Sequence, residues 1–261
     1  LNRRIIGHPS IEELPERYDL MLRAIRTDVE IFREENIPLG VRETELVTES
    51  QSITGAMTVD FNGEEMTFPQ MGSYLESNDR IEREAAWIAM SERRMQDHDR
   101  LSQIFDELID IRHQMALNAG FESYTDFMFR ARHRFDYTVE DCLEFHNSVE
   151  AVCMPILRDI NHERAEGLDI GELRPWDVNE KTGSGPDIHG RRPLRPFKTV
   201  DEMVKGLTEM FNDISEDLGG KFEKLVQMDT LDLDTRKGKA PGGYQYYLEK
   251  SRVPFIFMNA A

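Results

Sequence analysis

The chain has 261 residues, with 50 acidic and 32 basic side chains and a net charge of −18. A field of this sign repels phosphate backbones and anionic lipids, which argues against a nucleic-acid partner and against a membrane-surface partner. The sequence has no run of about 18 apolar residues that could span a bilayer, and it opens with no signal-peptide pattern. Hydrophobic residues make up 39% of the chain, which is enough for a folded core of one large or two modest units.

The thiols indicate the redox compartment. Cys142 and Cys153 are the two cysteines of the chain. On one helix they would lie roughly 16 Å apart, which is far beyond the reach of a disulfide. We therefore predict two buried thiols, a reducing compartment and a cytoplasmic location.

Helical spacing of apolar residues dominates the first 170 residues. Ser10 and Glu13 are spaced as a capping box, and Gly120 is a natural helix stop. The Asn62-Gly63 pair between two alternating runs predicts a β-hairpin. The predicted elements are a helix over 10–36 that ends at Asn36 and Pro38, a hairpin over 58–68, a helix over 79–118, a short helix over 124–131 and a long helix from Thr138.

The sequence pattern changes after residue 170. Residues 171–197 are rich in proline and glycine and predict a loop, with one apolar anchor, LRPWDV, at 173–178. The elements predicted beyond it are helices over 199–218 and 221–227 and strands over 231–234, 244–248 and 253–258. The fold class is therefore mostly α, with long helices in a multi-helical lobe, a small β-hairpin and a short β-sheet near the C-terminus. We place a boundary between a helical N-terminal lobe, 1–170, and a second lobe that begins at 171 and runs to 261.

A metal-binding motif is not found in the sequence. A zinc peptidase needs two histidines one helical turn apart with a glutamate between them, so that both imidazoles reach one metal ion. The nearest approach is His162-Glu163 followed by Glu166, in which one imidazole is missing. We interpret this stretch as a solvated helix face and assign no metal ligand in this chain.

One stretch of the chain has an unusual amino-acid composition. Residues 234–244, DTRKGKAPGGY, hold three basic residues and three glycines in an otherwise acidic chain. Glycines at the mouth of a sheet allow another backbone to approach closely or permit a positive φ. The alternative interpretation is a tight, solvated hairpin turn.

This stretch resembles the start of the catalytic domain in the oligoendopeptidase F and thimet oligopeptidase family of zinc metallopeptidases. The resemblance rests on DTRKGKAPGGY followed by an apolar segment that ends in Met258-Asn259. LIDIRHQMALNAGFESY at 108–124, NGEEMTF at 62–68 and LRPWDV are also similar to the family and occur in the same order. The resemblance extends from about residue 45 to the end of the chain.

The resemblance implies a parent enzyme that cleaves short peptides with zinc in a channel between two lobes. This chain would be its N-terminal portion, without the zinc site and inactive alone, and residues 171–261 would begin the catalytic lobe. The segment Gly242–Tyr247 would hold a peptide by strand addition, and the implied substrate-binding residues are Gly242, Gly243, Tyr244 and Tyr246.

Two other interpretations stay open. The chain could be an acidic, all-helical module that binds peptides or proteins without catalysis, or a catalytically inactive relative. The chain begins at Leu1 without an initiator Met and stops in the apolar stretch 255–261. Because a self-sufficient module is expected to end in a polar boundary, we favour the peptidase fragment.

Overall fold

The computed structural model describes residues 1–178 and 186–260. The α-helices in these ranges are α1 (Asn2–Ile6), α2 (Asp19–Ile31), α3 (Asn36–Ala56), α4 (Phe68–Met71), α5 (Arg80–Met95), α6 (His98–Asn118), α7 (Tyr124–Ala131), α8 (Val139–Gly167), α9 (Val200–Ile214) and α10 (Glu216–Gln227). The strands are β1 (Thr58–Phe61), β2 (Glu64–Thr67), β3 (Leu231–Asp234), β4 (Tyr244–Leu248) and β5 (Val253–Ala260). The predicted fold class is confirmed.

The chain divides into two compact units, each built from two segments. The first unit comprises Leu1–Thr48 and Arg100–Ile160, and the second comprises Glu49–Asp99 and Asn161–Ala261. The boundary between lobes at residue 170 stays a prediction. Within the described ranges, no helix is both long and apolar enough to cross a membrane.

The predicted helix over 10–36 has wrong bounds. Short 3₁₀ turns precede α2, which begins only at Asp19, because Pro15 lacks an amide hydrogen and holds the residue before it in an extended conformation. Asn36 and Pro38 begin α3 rather than ending a helix. A proline is tolerated there because amide hydrogens in the first turn of a helix have no intrahelical partner.

The predicted helix over 79–118 is two helices, α5 and α6, separated at Gln96 and Asp97. The Asp97 carboxylate accepts a hydrogen bond of 2.5 Å from Arg93 in the last turn of α5. The Asp97 amide donates to the Arg94 carbonyl oxygen at 3.2 Å, so the last turn closes on residue i−3 and α5 ends here. Aspartate favours helix ends over helix interiors. The helix stop at Gly120 is confirmed, since its φ is +88°.

One buried cluster of the first unit lies at the C-terminal end of α6 and on α7. Ala116, Ala119 and Phe127 are buried and pack against half-buried side chains that include Ile31. Helix α7 has the predicted bounds. The guanidinium of Arg33 donates to the carbonyl oxygens of the last residues of α6 and its C-cap, at 3.0 and 3.3 Å, and so satisfies groups that the helix end leaves without partners.

Helix α8 begins as predicted. Its N-cap Thr138 and Asp141 exchange the hydrogen bonds of a capping box, at 3.1 and 2.8 Å. The prediction of two buried thiols is wrong, since Cys142 is half-buried and Cys153 is exposed. The physical reason is that α8 buries none of its side chains, so its apolar spacing does not mark a core face here.

In the second unit, the hairpin of β1 and β2 is confirmed, and both turn residues, Asn62 and Gly63, have positive φ. The loop anchor at 173–178 holds a buried ion pair. Asp177 is fully buried and accepts hydrogen bonds from Arg80 at 2.8 Å and from Arg83 at 2.9 Å. Residues 179–185 of the predicted loop lie outside the described residues.

The short sheet has the strand order β3-β5-β4. Strand β5 lies between a parallel neighbour, β3, and an antiparallel neighbour, β4. One face of the sheet packs on α9, where Met203, Leu233 and Ala260 form a buried cluster. The helix predicted over 199–218 is α9, which has Thr199 as its N-cap but ends at Ile214, because Ser215 is extended and is the N-cap of α10.

Candidate functional site

The glycine-rich segment, residues 235–243, joins β3 to β4. These two strands are not neighbours, since β5 lies between them. The segment is therefore a crossover connection, and the alternative of a hairpin turn is wrong. It is also packed, because the Gly238 amide donates to the Gly55 carbonyl oxygen at 2.8 Å and the Thr235 amide donates to that of Ala260 at 3.1 Å.

Gly55, near the C-terminal end of α3, makes this packing possible. A Cβ on Gly55 would lie 2.6 Å from the carbonyl oxygen of Lys239, closer than non-bonded atoms approach. The absence of a side chain at residue 55 is thus what lets the glycine-rich segment lie against the helix.

The ammonium of Lys239 is buried inside the segment. Its Nζ lies 2.6 Å from the carbonyl oxygens of both Asp234 and Met258, and 2.9 Å from Oδ1 of Asp232. It also lies 4.5 Å from the ring centroid of Phe257, within the range of a cation–π contact. The lysine side chain is 1% exposed, so its charge is neutralised by protein groups rather than by water.

Asp232 balances this buried charge. Its carboxylate accepts two hydrogen bonds from Arg236, at 2.7 and 3.0 Å, and one from Lys239. The hydrogen bonds from Arg236, together with Lys239, lower the pKa of Asp232 to about 2, although partial burial acts in the opposite direction. The carboxylate is therefore ionised at any physiological pH.

The turn into β4 is built from backbone and one amide side chain. Gly242 has a φ of +90°, which glycine adopts without strain. A Cβ on Gly243 would lie 3.2 Å from the carbonyl oxygen of Phe257, so only glycine fits there without a shift. Asn259 on β5 donates from Nδ2 to the carbonyl oxygens of Ala240 at 3.0 Å and Gly242 at 2.7 Å.

Strand β4 forms one edge of the sheet among the described residues. Its backbone groups alternate between β5 and the open edge. Ile256 donates its amide hydrogen to Thr230, on the side away from β4, so Gln245 opposite it is not hydrogen-bonded to β5. Tyr247 faces Pro254, which has no amide hydrogen to give. The N–H and C=O groups of Gln245 and Tyr247 therefore point to the open edge.

The structure brings the four predicted substrate-binding residues together at the start of β4. Gly242 and Gly243 form the turn, and the Tyr244 ring stacks on Phe257 with centroids 4.8 Å apart. Tyr246 is 64% exposed. Because the alternation directs the backbones of Tyr244 and Tyr246 toward β5, these two tyrosines can offer a peptide their side chains only.

Sequence reasoning missed three residues of this site: Gly55, Lys239 and Asn259. Gln245 and Tyr247 lie within the predicted peptide-holding segment Gly242–Tyr247. The burial of Lys239 depends on carbonyl groups of two strands, which the motif alone does not show. The alternation along β4 could have been anticipated from Pro254, since a proline in a central strand restricts which pairs are hydrogen-bonded.

A concavity of about 410 Å³ lies between α9, α10 and the face of the sheet that packs on α9. Phe211, Phe222 and Met258 are among the apolar side chains that line it. It offers almost no polar group to orient a peptide backbone. The hydrogen-bonding edge of β4 is therefore the better candidate site.

The described residues do not fit a catalytic metal. Within residues 1–178 and 186–260, no three histidine, cysteine or carboxylate side chains cluster as metal ligands would. His162 and Glu166 lie 3.4 Å apart on an exposed face of α8, as the interpretation of a solvated surface predicts.

Solved structures share this fold. A protein from Bacillus anthracis str. Ames assigned as an oligoendopeptidase F matches with a TM-score of 0.88 and 25% identity, over 99% of this chain and 46% of its own. PZ peptidase A with an inhibitor matches with a TM-score of 0.89 and 23% identity, over 99% and 45%. A second protein assigned as an oligoendopeptidase F gives the same values. This chain thus spans under half the length of the chains it matches.

The fold is that of part of these peptidase structures. Residues 73–261 match the sequence profile of peptidase family M3, which is well over half of the chain, and the chain belongs to this family. A comparison with curated proteins finds no match.

Proposed function

We propose that this chain forms the substrate-holding part of a zinc-dependent oligoendopeptidase that hydrolyses short peptides. The observation that carries the proposal is the open edge of β4, which begins at a turn fastened by Lys239 and Asn259. Membership of peptidase family M3 supports peptide hydrolysis by the whole protein. A cytoplasmic location is part of the proposal, because both cysteines are free thiols.

A peptide would add to the sheet as a further strand. The N–H and C=O groups of Gln245 and Tyr247 supply four hydrogen bonds to its backbone, each with a net contribution of about 1 kcal/mol. Such bonds do not depend on the peptide's side chains, which suits an enzyme that accepts varied short sequences. Tyr244 and Tyr246 flank this strand on one face of the sheet and can contact alternate side chains of the peptide.

The choice of zinc as the metal is supported by the family resemblance alone. Because the described residues hold no cluster of ligands, the metal and the group that activates water belong to other residues of the protein. The part of this chain in the reaction is to bind the peptide and hold its scissile bond in a fixed register. Orientation of this kind lowers the entropic part of the activation barrier.

The proposal is tested with the intact protein and an internally quenched peptide of about nine residues. We expect cleavage that 1,10-phenanthroline abolishes and that zinc restores after the chelator is removed. A protein that binds such peptides without cleaving them would support the binding-module interpretation instead. Cleavage that survives thorough metal removal would contradict the zinc assignment.

The site itself is tested by Gly243→Val. The added Cβ and methyl groups crowd the carbonyl oxygen of Phe257 and displace the start of β4, so we expect KM to rise about tenfold or more, equivalent to about 1.4 kcal/mol of lost binding. Gly206→Val in α9 is the matched control, because a Cβ there meets no atom within 4 Å. Unchanged kinetics for Gly243→Val would show that the edge of β4 does not bind the peptide.

A further inference from the structure

The ladder between β3 and β5 is irregular where the glycine-rich segment covers it. Asp232 pairs with Phe257, but Asp234 pairs with Ala260, so β5 carries one extra residue in this interval. This arrangement is a β-bulge, and Met258 and Asn259 lie in it. Bulges bend a strand and redirect side chains, and they are frequent beside functional sites.

Lys239 occupies this bulge. Its ammonium lies 2.6 Å from the Met258 carbonyl oxygen on β5, and within 3.0 Å of the Asp232 and Asp234 carbonyl oxygens on β3. One cation thus joins the two strands across the interval in which their own ladder is disturbed. The Lys239 side chain is 1% exposed, and an apolar side chain of similar length could donate no hydrogen bond to these carbonyl groups.

The other residue in the bulge turns toward the candidate site. The Asn259 side chain donates to the carbonyl oxygens of Ala240 and Gly242, at 3.0 and 2.7 Å. The position of Gly242 decides where β4 begins, and therefore which backbone groups of β4 reach the open edge. The chain of contacts runs from Lys239 through the bulge and Asn259 to the first residues of β4.

We infer that Lys239 is a positioning residue that stabilises the β5 bulge, aims Asn259 at Gly242 and so fixes the register of the peptide-binding edge. The effect on peptide binding rests on the proposed function, whereas the effect on β4 does not. Lys239 touches no peptide in this scheme and acts through Met258 and Asn259.

The test replaces Lys239 with methionine in the intact protein and measures amide hydrogen exchange. Because the alternation places the Tyr244 and Tyr246 amides against β5, their protection reports the order of the edge strand. We expect this protection to fall about tenfold or more in Lys239→Met, and the KM of the quenched peptide to rise by a similar factor while kcat stays within about threefold. Lys237→Met is the matched control, because the Lys237 side chain is 59% exposed.

Chemical rescue separates the charge from mere volume. Lys239→Ala removes three methylene groups and the ammonium, and propylammonium has this composition. Propylammonium should restore amide protection to Lys239→Ala, whereas 1-propanol, a neutral molecule with the same number of heavy atoms, should not. Equal rescue by both compounds would show that only the filled space matters and would overturn the inference.

Asn259→Ala provides a second route if Lys239 variants fold poorly. With Lys239 in place, it should lower the exchange protection of the Tyr244 and Tyr246 amides. The double variant Lys239→Met/Asn259→Ala should lose no more protection than Lys239→Met alone, because Lys239 acts through Asn259. Additive losses would contradict the scheme. If protection falls as expected but the native protein cleaves no peptide, the positioning role stands and the proposed function fails.

Discussion

The Nδ2 atom of Asn259 lies 2.7 Å from the carbonyl oxygen of Gly242. This hydrogen bond joins the bulged end of a central strand to a residue two positions before the edge strand begins. Gly242 has a φ of +90°, a conformation that leaves its carbonyl group facing Asn259. The position at which β4 starts therefore depends on Asn259 of the neighbouring strand as well as on the glycines that precede β4.

Packing of the glycine-rich segment on α3 leads to a prediction at Gly55. In Gly55→Ala, the new Cβ would lie 2.6 Å from the Lys239 carbonyl oxygen, so backbone must move. We expect a loss of about 1–3 kcal/mol in the free energy of unfolding, as is typical of overpacking. Urea denaturation of the intact protein measures it.

Gly40→Ala is the control for this prediction. It lies in the same helix, and a Cβ there meets no atom within 4 Å. Because alanine favours a helix over glycine by about 1 kcal/mol, this variant should be as stable as the native protein or more so. If Gly55→Ala behaves like Gly40→Ala, the close approach is not as the structure describes.

The buried ion pair of the second unit gives the next prediction. Asp177 is fully buried, and its partner Arg83 has a side chain that is 3% exposed. Asp177→Ala leaves that guanidinium buried without its counter-ion, which costs about 3–5 kcal/mol in comparable sites. Thermal unfolding should show a large fall in Tm. Asp217→Ala, which breaks an exposed pair with Lys221, should change Tm little.

Much of the fold was predictable because its signals are local. The Asn62-Gly63 turn, the bounds of α7 and the three strands of the short sheet are specified by neighbouring residues. The breaks before Asp19 and at Asp97 were missed because single polar or proline residues interrupt an otherwise continuous apolar spacing. The spacing of apolar residues identifies the buried face of a helix, but it does not show where a single proline or aspartate ends that helix.

The site was predictable only in part for a different reason. Gly242 and Gly243 stand out in any reading of the motif, but their neighbours in space come from distant parts of the chain. Gly55 and Asn259 carry no signal until α3 and β5 are placed beside the segment. Likewise, the outward direction of the Gln245 backbone follows from the register of β4 on β5, and Pro254 indicates it only once the pairing of these two strands is known.

Acid should weaken the protein in a way that depends on Asp232. Hydrogen bonds from Arg236 and Lys239 lower its folded pKa to about 2, whereas an unfolded aspartate titrates near 3.9. Because the folded pKa is the lower one, the stabilisation is complete above about pH 4 and is lost as the pH falls toward 2.

Asp232→Asn tests this pH dependence. Asparagine cannot ionise, so the difference in unfolding free energy between native protein and variant should shrink from pH 5 to pH 2. Urea denaturation at several pH values measures it, and Asp217→Asn serves as an exposed control. A difference that stays constant across this range would contradict the pKa that we assign to Asp232.

The last prediction separates the two sides of β4 by proline substitution. Gln245→Pro removes an amide hydrogen that points to the open edge, and edge strands tolerate proline where the lost hydrogen faces solvent. Tyr246→Pro removes an amide hydrogen that faces β5, within the ladder. We expect Gln245→Pro to stay folded but to bind peptide substrates at least about tenfold more weakly, since a proline at this residue cannot donate to the added strand.

Tyr246→Pro should instead lose about 3 kcal/mol or more of stability, because it breaks a bond inside the sheet. Circular dichroism thermal scans separate the two variants, and KM for the quenched peptide completes the comparison. If both prolines unfold the protein equally, the alternation along β4 is not as derived. If Gln245→Pro is stable and keeps its KM, the outward amide of Gln245 takes no part in binding, and peptides are held elsewhere.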